Sequence, residues 1–254
     1  MEYAIVKVPA APMRRKARHQ AEMSNQLLFG DVVRILKEKG SLWVKVRCLT
    51  DDYEGWVTRN LLQEIKEASQ SFQPYVTADV INSISINGVN MYLPFGTTLP
   101  DFADGKGMLG DLAYTYTGKV LQRGENSLTE QSVNALTTPW LNAPYMWGGK
   151  TIMGVDCSGF VQVNFKTMGI DLPRDAWQQA QEGETVDKLK MAVCGDLAFF
   201  DDKDEIVHVG ILLGNDRIIH SSGKVRIDPI DKKGIINSDT EKRTHSLRLI
   251  KRCR

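Results

Sequence analysis

The sequence is poor in the features that mark several large classes of protein. It holds only four cysteines, Cys48, Cys157, Cys194 and Cys253, widely spaced and without a Cys-x-x-Cys pair. That spacing excludes a zinc ribbon and a disulfide-dense scaffold, and reduced thiols are expected. No apolar run approaches the roughly 20 residues that cross a bilayer. A strand-like Tyr3 to Val8 follows Met1 with no basic and apolar leader. The chain as it stands is therefore expected to be cytoplasmic and without membrane insertion; a removed signal peptide would make it periplasmic or extracellular. Charge of one sign is also missing, because 32 basic and 31 acidic residues leave a net charge of +1. Such a chain has no field for gripping nucleic acid or an anionic membrane. The one basic run, Arg14, Arg15, Lys16 and Arg18, has no interleaved aromatics and reads as a solvated loop. No His-Glu-x-x-His occurs, which removes the commonest zinc-peptidase signature.

What is present is ordinary globular material. The 254 residues are 42% hydrophobic and 25% charged, enough for two or three domains. Over residues 1–65, strands are expected at Ala4 to Val8, Leu28 to Leu36, Leu42 to Cys48 and Gly55 to Val57. They are separated by Pro9 and Pro12, Gly30-Asp31, Gly40-Ser41 and Asp51-Asp52. A small barrel with Trp43 and Trp56 in its core fits that punctuation, and His19 reads as an exposed loop histidine. Residues 66–125 hold a second series: Val76 to Val80, Ser83 to Ile86, Val89 to Leu93, Thr97 to Leu99 and Leu112 to Tyr116, with Asn87-Gly88 as a two-residue hairpin turn. Residues 126–254 open with a capping box, Ser127 to Glu130, for a helix carrying Val133, Leu136 and Trp140.

The chemistry concentrates in Pro144-Tyr145-Met146-Trp147-Gly148-Gly149 and Asp156-Cys157-Ser158-Gly159-Phe160. Gly148-Gly149-Lys150-Thr151 imitates the end of a phosphate-binding loop, but Pro144 stands where the leading glycine belongs. Backbone passing close to a substrate is the reading of the two glycines. Val161, Phe165 and Met168 follow Cys157 at helical spacing, and Gly169 supplies a stop. Cys157 thus falls at a helix N-terminus, where free amides and the helix dipole favour the nucleophilic thiolate. The bland alternative is a small buried residue, the reading given to Cys194, with Cys253 in the tail. His208 and His220 each lie six positions from Gly214, so a hairpin centred there sets them directly opposite, on one face. His245 has no motif around it and reads as exposed. Asp175 reads as the cap of a helix, and Arg174 and Asp175 together as cap and surface residues or as part of the wall of the substrate cleft.

In order along the chain, Tyr145-x-Trp147-Gly148-Gly149, Asp156-Cys157-Ser158-Gly159-Phe160, Leu172-Pro173-Arg174, Gly195-Asp196-Leu197-Ala198-Phe199-Phe200, His208-Val209-Gly210-Ile211 and Ile219-His220 resemble the NlpC-type cell-wall cysteine peptidases. The resemblance covers about residues 126 to 254, and residues 26–30, 43–46 and 52–57 resemble a bacterial SH3-like domain. It implies an α+β chain, a permuted papain-like catalytic domain at 126–254 preceded by SH3-like barrels at 1–65 and 66–125. It further implies Cys157 as nucleophile, His208 as proton carrier, His220 as its orienting partner, and Tyr145 with the Cys157 amide as oxyanion donors. A small hydroxyl residue common in the family near position 176 is Ala176 here.

Within that family the chain is most similar to the YkfC-like γ-D-glutamyl-L-diamino acid endopeptidases of murein recycling. There an SH3-like domain walls off the cleft. Glu22 (or Glu54), Tyr53 and Asp156 would receive the free amine of an L-alanine, while Ser158, Tyr145 and Trp147 flank the D-glutamyl residue. The expected partner is a murein peptide, the expected state a monomer, and neither metal nor organic cofactor is needed. Four other readings stay open: a wall hydrolase targeted by its barrels, a non-catalytic wall-binding module, a zinc site of Cys157, His208 and His220, and an acyltransferase.

Overall fold

A computed structural model describes residues 2–67, 74–125 and 128–254. The chain divides into two compact units, Met1–Arg123 and Gly124–Arg254. No helix among the described residues is long and apolar enough to cross a membrane.

The first unit opens with β1 (Tyr3–Val6), β2 (Ala10–Arg14), β3 (Met23–Leu28), β4 (Val32–Lys39), β5 (Trp43–Cys48), β6 (Glu54–Thr58) and β7 (Leu62–Ile65), in one sheet of order β3-β2-β6-β5-β4-β1-β7. Alternation fixes its inward face: Val44, Val46 and Cys48 of β5 join Val33 and Val57 in the core. The expected strand from Leu28 to Leu36 is split, because Gly30 turns the backbone at φ 82° and the Asp31 carboxylate accepts the Leu28 amide at 2.8 Å. Pro12 does not break the chain as expected but lies within β2. That strand meets β6 only through Arg14↔Trp56, so it is nearly an edge, where a missing N–H is tolerated. Trp43 is buried against His19, with ring centroids 5.0 Å apart, whereas Trp56 is only half-buried. Arg14 leaves the solvated loop that its neighbours form, and its guanidinium donates to the Ala21 carbonyl at 2.8 Å.

Six further strands follow: β8 (Tyr75–Thr77), β9 (Ile81–Ile86), β10 (Val89–Pro94), β11 (Lys106–Leu109), β12 (Leu112–Tyr116) and β13 (Val120–Gln122). They form a four-stranded sheet, β10-β9-β12-β11, and a β8/β13 ribbon. Asn87 and Gly88 take φ of 50° and 77° and close the β9/β10 hairpin, as their turn chemistry requires. Thr97 to Leu99 is not a strand; it contributes a single bridge, Val76↔Thr98. Ile5 and Phe29 of the first sheet pack into one core with Ile84, Leu99, Tyr114 and Tyr116. That shared core is why residues on either side of the expected boundary at 65 belong to one unit.

The second unit contains α1 (Glu130–Thr137), β14 (Lys150–Thr151), β15 (Gly154–Val155), α2 (Cys157–Thr167), α3 (Ala176–Gln179), β16 (Glu184–Thr185), β17 (Leu197–Asp202), β18 (Glu205–Leu212), β19 (Arg217–Ser222), β20 (Lys224–Asp231), β21 (Gly234–Ile236) and β22 (Arg243–Arg252). Ser127, the expected cap of α1, lies outside the described residues. Thr129 caps the helix, accepting the Ser132 amide at 3.1 Å, and Trp140 falls on a separate 3-10 turn. Strands β17 to β22 run in order, with β17 inserted beside β22, and close when β21 pairs with β22. Helix α2 packs on β18 and β19. It is buried on all sides from Cys157 to Phe165, so the fold encloses it as a central element.

Candidate active site

Cys157 is the first residue of α2, where the helical spacing places it. Asp156 caps the helix, its Oδ1 accepting the Gly159 amide at 2.7 Å while Oδ2 accepts the Gly148 amide at 2.7 Å. One carboxylate therefore holds the helix start and the Trp147-Gly148-Gly149 loop together. The two glycines answer to that loop rather than to a substrate. Gly148 sits at φ 77°, and a Cβ on Gly149 would lie 2.3 Å from the Gly154 carbonyl oxygen.

The Asp156 carboxylate has a third partner that the sequence reading did not identify. Arg174, 1% exposed and so neither a cap nor a surface residue, forms a two-pronged ion pair with it, Nη1 to Oδ1 at 3.0 Å and Nη2 to Oδ2 at 2.5 Å. The same Nη1 donates to Ser158 Oγ at 2.8 Å. Asp156 and Ser158, both expected to face substrate, are thus already tied into the protein. Asp175 caps α3 as expected, in a reciprocal box with Gln178.

The histidines are adjacent, but not by the expected register. Pairs Ile211↔Ile219 and Leu212↔Ile218 continue to set Gly210, not His208, opposite His220. The turn is longer than the count from Gly214 assumed. An even offset preserves the face, so the two histidines become diagonal neighbours, roughly 7 Å apart at the backbone. Gly210 makes their contact possible: a Cβ there would lie 2.8 Å from the His220 Cβ. His208 Nε2 and His220 Nδ1 meet at 2.8 Å, and His220 Nε2 meets Asp228 Oδ2 at 3.1 Å.

His245 is not exposed. It stacks on His208, ring centroids 4.2 Å apart at 25°, with Phe200 5.9 Å from it. The signal for it was in β22, where His245, Leu247 and Leu249 alternate with exposed Thr244, Ser246 and Arg248. Asp228 was equally findable, because counting outward from the Gly223 turn puts Arg226 opposite His220 and Asp228 on the same face. The other thiols also differ from expectation: Cys253 is buried and Cys194 is only half-buried.

Electrostatically the site is neutral at its centre. Burial pushes the Cys157 thiol up to about 12, reinforced by Asp156 and opposed by hydrogen bonds from the Val209 and Ser158 amides. Desolvation thus works against the thiolate expected at the helix end. Burial, with His220 and His245 beside it, holds His208 well below the usual histidine range. Burial likewise lowers His245 to about 4. An unfolded histidine near 6.5 binds a proton that the folded one refuses, so stability is retained above that value and lost as pH falls through 6.5 towards 4. His245→Gln is therefore expected to make the fall in Tm between pH 7 and pH 4 shallower by a few degrees in thermal denaturation. A pH profile parallel to wild type would overturn the assignment.

Tyr145 is held by its amide on the Gly223 carbonyl at 2.9 Å. Its phenol is kept protonated chiefly by burial, with Cys157 and the Asp156 carboxylate close by. In the zinc alternative, both nitrogens of His220 and Nε2 of His208 would have to give up contacts within the protein. No group of three or more metal-ligating side chains occurs among the described residues. In the first unit, Glu22 is exposed and pairs with Arg15 at 2.9 Å. Tyr53 is half-buried against the barrel core rather than outside it. Glu54, the substitute for Glu22, is taken up by Lys45 and Arg47 at 2.6 Å each.

Comparison with known proteins follows the same lines. The profile of the NlpC/P60 family matches residues 142–244, and that of the bacterial dipeptidyl-peptidase SH3 domain matches 13–62. The chain is 31% identical over 219 residues to the gamma-D-glutamyl-L-lysine dipeptidyl-peptidase of Bacillus subtilis, covering 78% of this chain and 72% of that protein. It is 39% identical to the Escherichia coli murein DD-endopeptidase MepS/murein LD-carboxypeptidase, over only 33% of this chain and 44% of that one. A crystal structure of an NlpC/P60 family protein from Bacillus cereus superposes with a TM-score of 0.82 at 21% identity, covering 98% of this chain and 99% of that one. The α+β fold with an SH3-like N-terminus is that of this structure. With the profile, the relative and the fold in agreement, the chain belongs to the NlpC/P60 family of cysteine peptidases.

Proposed function

We propose that the chain hydrolyses the γ-D-glutamyl-L-diamino acid bond of short murein peptides whose N-terminal L-alanine is free. The observation that carries the chemistry is that Cys157 takes a hydrogen bond from the amide of Val209, the residue after His208, and that His208 and His220 meet at 2.8 Å, all three side chains buried. Because thiol and imidazole are both neutral at rest, His208 works as a base during attack. The S–H proton passes to His208 as the sulfur–carbon bond forms, and returns to the leaving amine as the carbon–nitrogen bond breaks. Water then opens the thioester. The oxyanion is met by the Cys157 amide, which has no acceptor inside the helix, and by the Tyr145 hydroxyl.

The substrate rests on coverage. The relative that spans most of this chain carries a γ-D-glutamyl-L-lysine name, whereas a relative sharing only a third of it is named for other murein bonds. Residues outside the catalytic core thus accompany the first specificity. Asp156 is already balanced by Arg174, so the anion that prefers an ammonium is Glu22. Its exposed partner Arg15 is held weakly and exchanged cheaply. Tyr53 completes the acceptor set for the amine. Trp147 and Ser158 flank the D-glutamyl residue, and Asp175 lines the cleft at the head of α3.

The test compares kcat/KM on L-Ala-γ-D-Glu-diamino acid peptides with a free and an acetylated amine. Acetylation is expected to lower it about 100-fold or more, because an acidic pocket is left unpaired. Glu22→Ala should raise KM on the free peptide about tenfold and narrow the difference. Equal kcat/KM on free and blocked peptides would instead make the SH3-like part a wall-targeting module of an enzyme acting on intact murein.

A further inference from the structure

The hydrogen-bonded row does not end at His220. Its Nε2 meets Asp228, a carboxylate 1% exposed on β20. Asp228 is itself enclosed. Its Oδ1 accepts the Ser238 hydroxyl at 2.6 Å, the Ser238 amide at 3.0 Å and Arg226 Nη2 at 3.0 Å. Arg226 Nε lies 2.9 Å from Oδ2, close enough for charge attraction but without hydrogen-bond alignment. Oδ2 is thus turned to His220. Burial opposes ionisation of Asp228, but the hydrogen bonds from His220, Ser238 and Arg226 outweigh it and hold the carboxyl well below the usual carboxylate range.

We infer that Asp228 is a positioning residue that assigns the ring protons of both histidines, and so decides which nitrogen of His208 is free to act as the base. An ionised carboxylate only accepts hydrogen bonds, so His220 must carry its proton on Nε2. With its ring proton so placed, His220 presents a lone pair at Nδ1. The 2.8 Å contact can be made only if His208 donates from Nε2. His208 in turn is left with a lone pair on Nδ1, the one ring nitrogen not engaged by His220. Two hydrogen bonds relay the choice from a carboxylate to the base without moving a proton. His245, stacked on the face of His208, fixes the ring plane but makes no hydrogen bond to either histidine that would compete for this choice. The inference rests on the reading of His208 as the base for Cys157.

Asp228→Asn tests it, because Ser238 dictates how the amide must sit. Two Ser238 donors at the Oδ1 position require the amide oxygen there, which turns the amide NH2 towards His220 Nε2. The relay then inverts: His220 becomes the Nδ1–H tautomer, and His208 must carry its proton on Nδ1, where the base should be empty. The expected kcat is lower by about 10³- to 10⁴-fold with KM changed little, the scale seen when a triad carboxylate is replaced by its amide elsewhere. The activity-independent readout is ¹⁵N NMR of histidine-labelled protein. Wild type is expected to show Nε2–H on both His208 and His220, and the variant Nδ1–H on both. An Nδ1–H tautomer at either residue of active wild type would overturn the inference, as would an Asp228→Asn enzyme with unaltered kcat. If the variant does not fold, the wild-type assignment alone still decides. Wild type with the expected tautomers and no hydrolysis would instead overturn the proposed function and leave the tautomer assignment standing.

Discussion

Cys157→Ala is expected to reduce hydrolysis of any murein peptide to background, a loss of 10⁴-fold or more, since removing a nucleophile deletes the covalent step entirely. The fold should survive. The substitution removes one sulfur atom from a buried site at the head of a helix whose cap, Asp156, is untouched. The cost is about 1 kcal/mol, or roughly 2–4 °C in Tm for a unit of this size. Activity assays and thermal melts on the same preparation separate the two effects. The outcome discriminates among the open readings. A wall-binding module would keep its affinity and lose nothing; a zinc hydrolase ligated by Cys157, His208 and His220 would also lose turnover, and is told apart by chelation of wild type, which leaves a thiol enzyme active. Appreciable residual hydrolysis in Cys157→Ala would remove the thioester from the mechanism. An acyltransferase would be exposed by wild type, which would form product on an added acceptor amine at the expense of hydrolysis.

What could be read from the sequence was local in character. Helix α2, its Asp156 cap and the place of Cys157 follow from a 3.6-residue period and a polar residue before it. The Asn87-Gly88 hairpin follows from turn chemistry. The histidine pair was half legible. Parity along a strand is fixed by the chain, so one face was predictable, but the register depends on the length of the turn around Gly214, which the residues do not declare. Gly210, the residue whose lack of a side chain lets the rings meet, follows only once that register is known. Long-range pairs stayed invisible for a related reason. Arg174 and Asp156 are 18 residues apart, and an arginine beside a helix cap looks like surface until the enclosure of α2 buries it. β2 was missed because Pro12 usually ends a strand, and only the sparse β2–β6 pairing shows why it does not. Asp228 and His245 lie on strands whose alternation was legible, but alternation states which face a residue shares, not what stands on that face from the next strand.

The buried pair gives the largest expected effect on stability. Arg174→Leu would leave the Asp156 carboxylate 4% exposed and facing only two backbone amides and a serine hydroxyl. Breaking a buried ion pair on one side typically costs about 3–5 kcal/mol, because the remaining charge is uncompensated. For the C-terminal unit that amounts to a fall in Tm on the order of 10 °C. Arg174→Lys should rescue only partly, since an ammonium cannot reproduce the two parallel bonds to Oδ1 and Oδ2 together with the bond to Ser158. The second variant, Asp156→Asn combined with Arg174→Leu, removes the orphaned charge and is expected to recover part of the stability in urea denaturation. It should not recover kcat. Asp156 ties the Gly148 amide to the start of α2, so it sets where the Tyr145–Trp147 loop stands relative to Cys157, and an amide that accepts through one oxygen cannot serve both the loop and the helix. Stability unchanged in Arg174→Leu would mean that the guanidinium is not what neutralises Asp156. A double variant with wild-type kcat would mean that the loop is positioned by something other than this carboxylate.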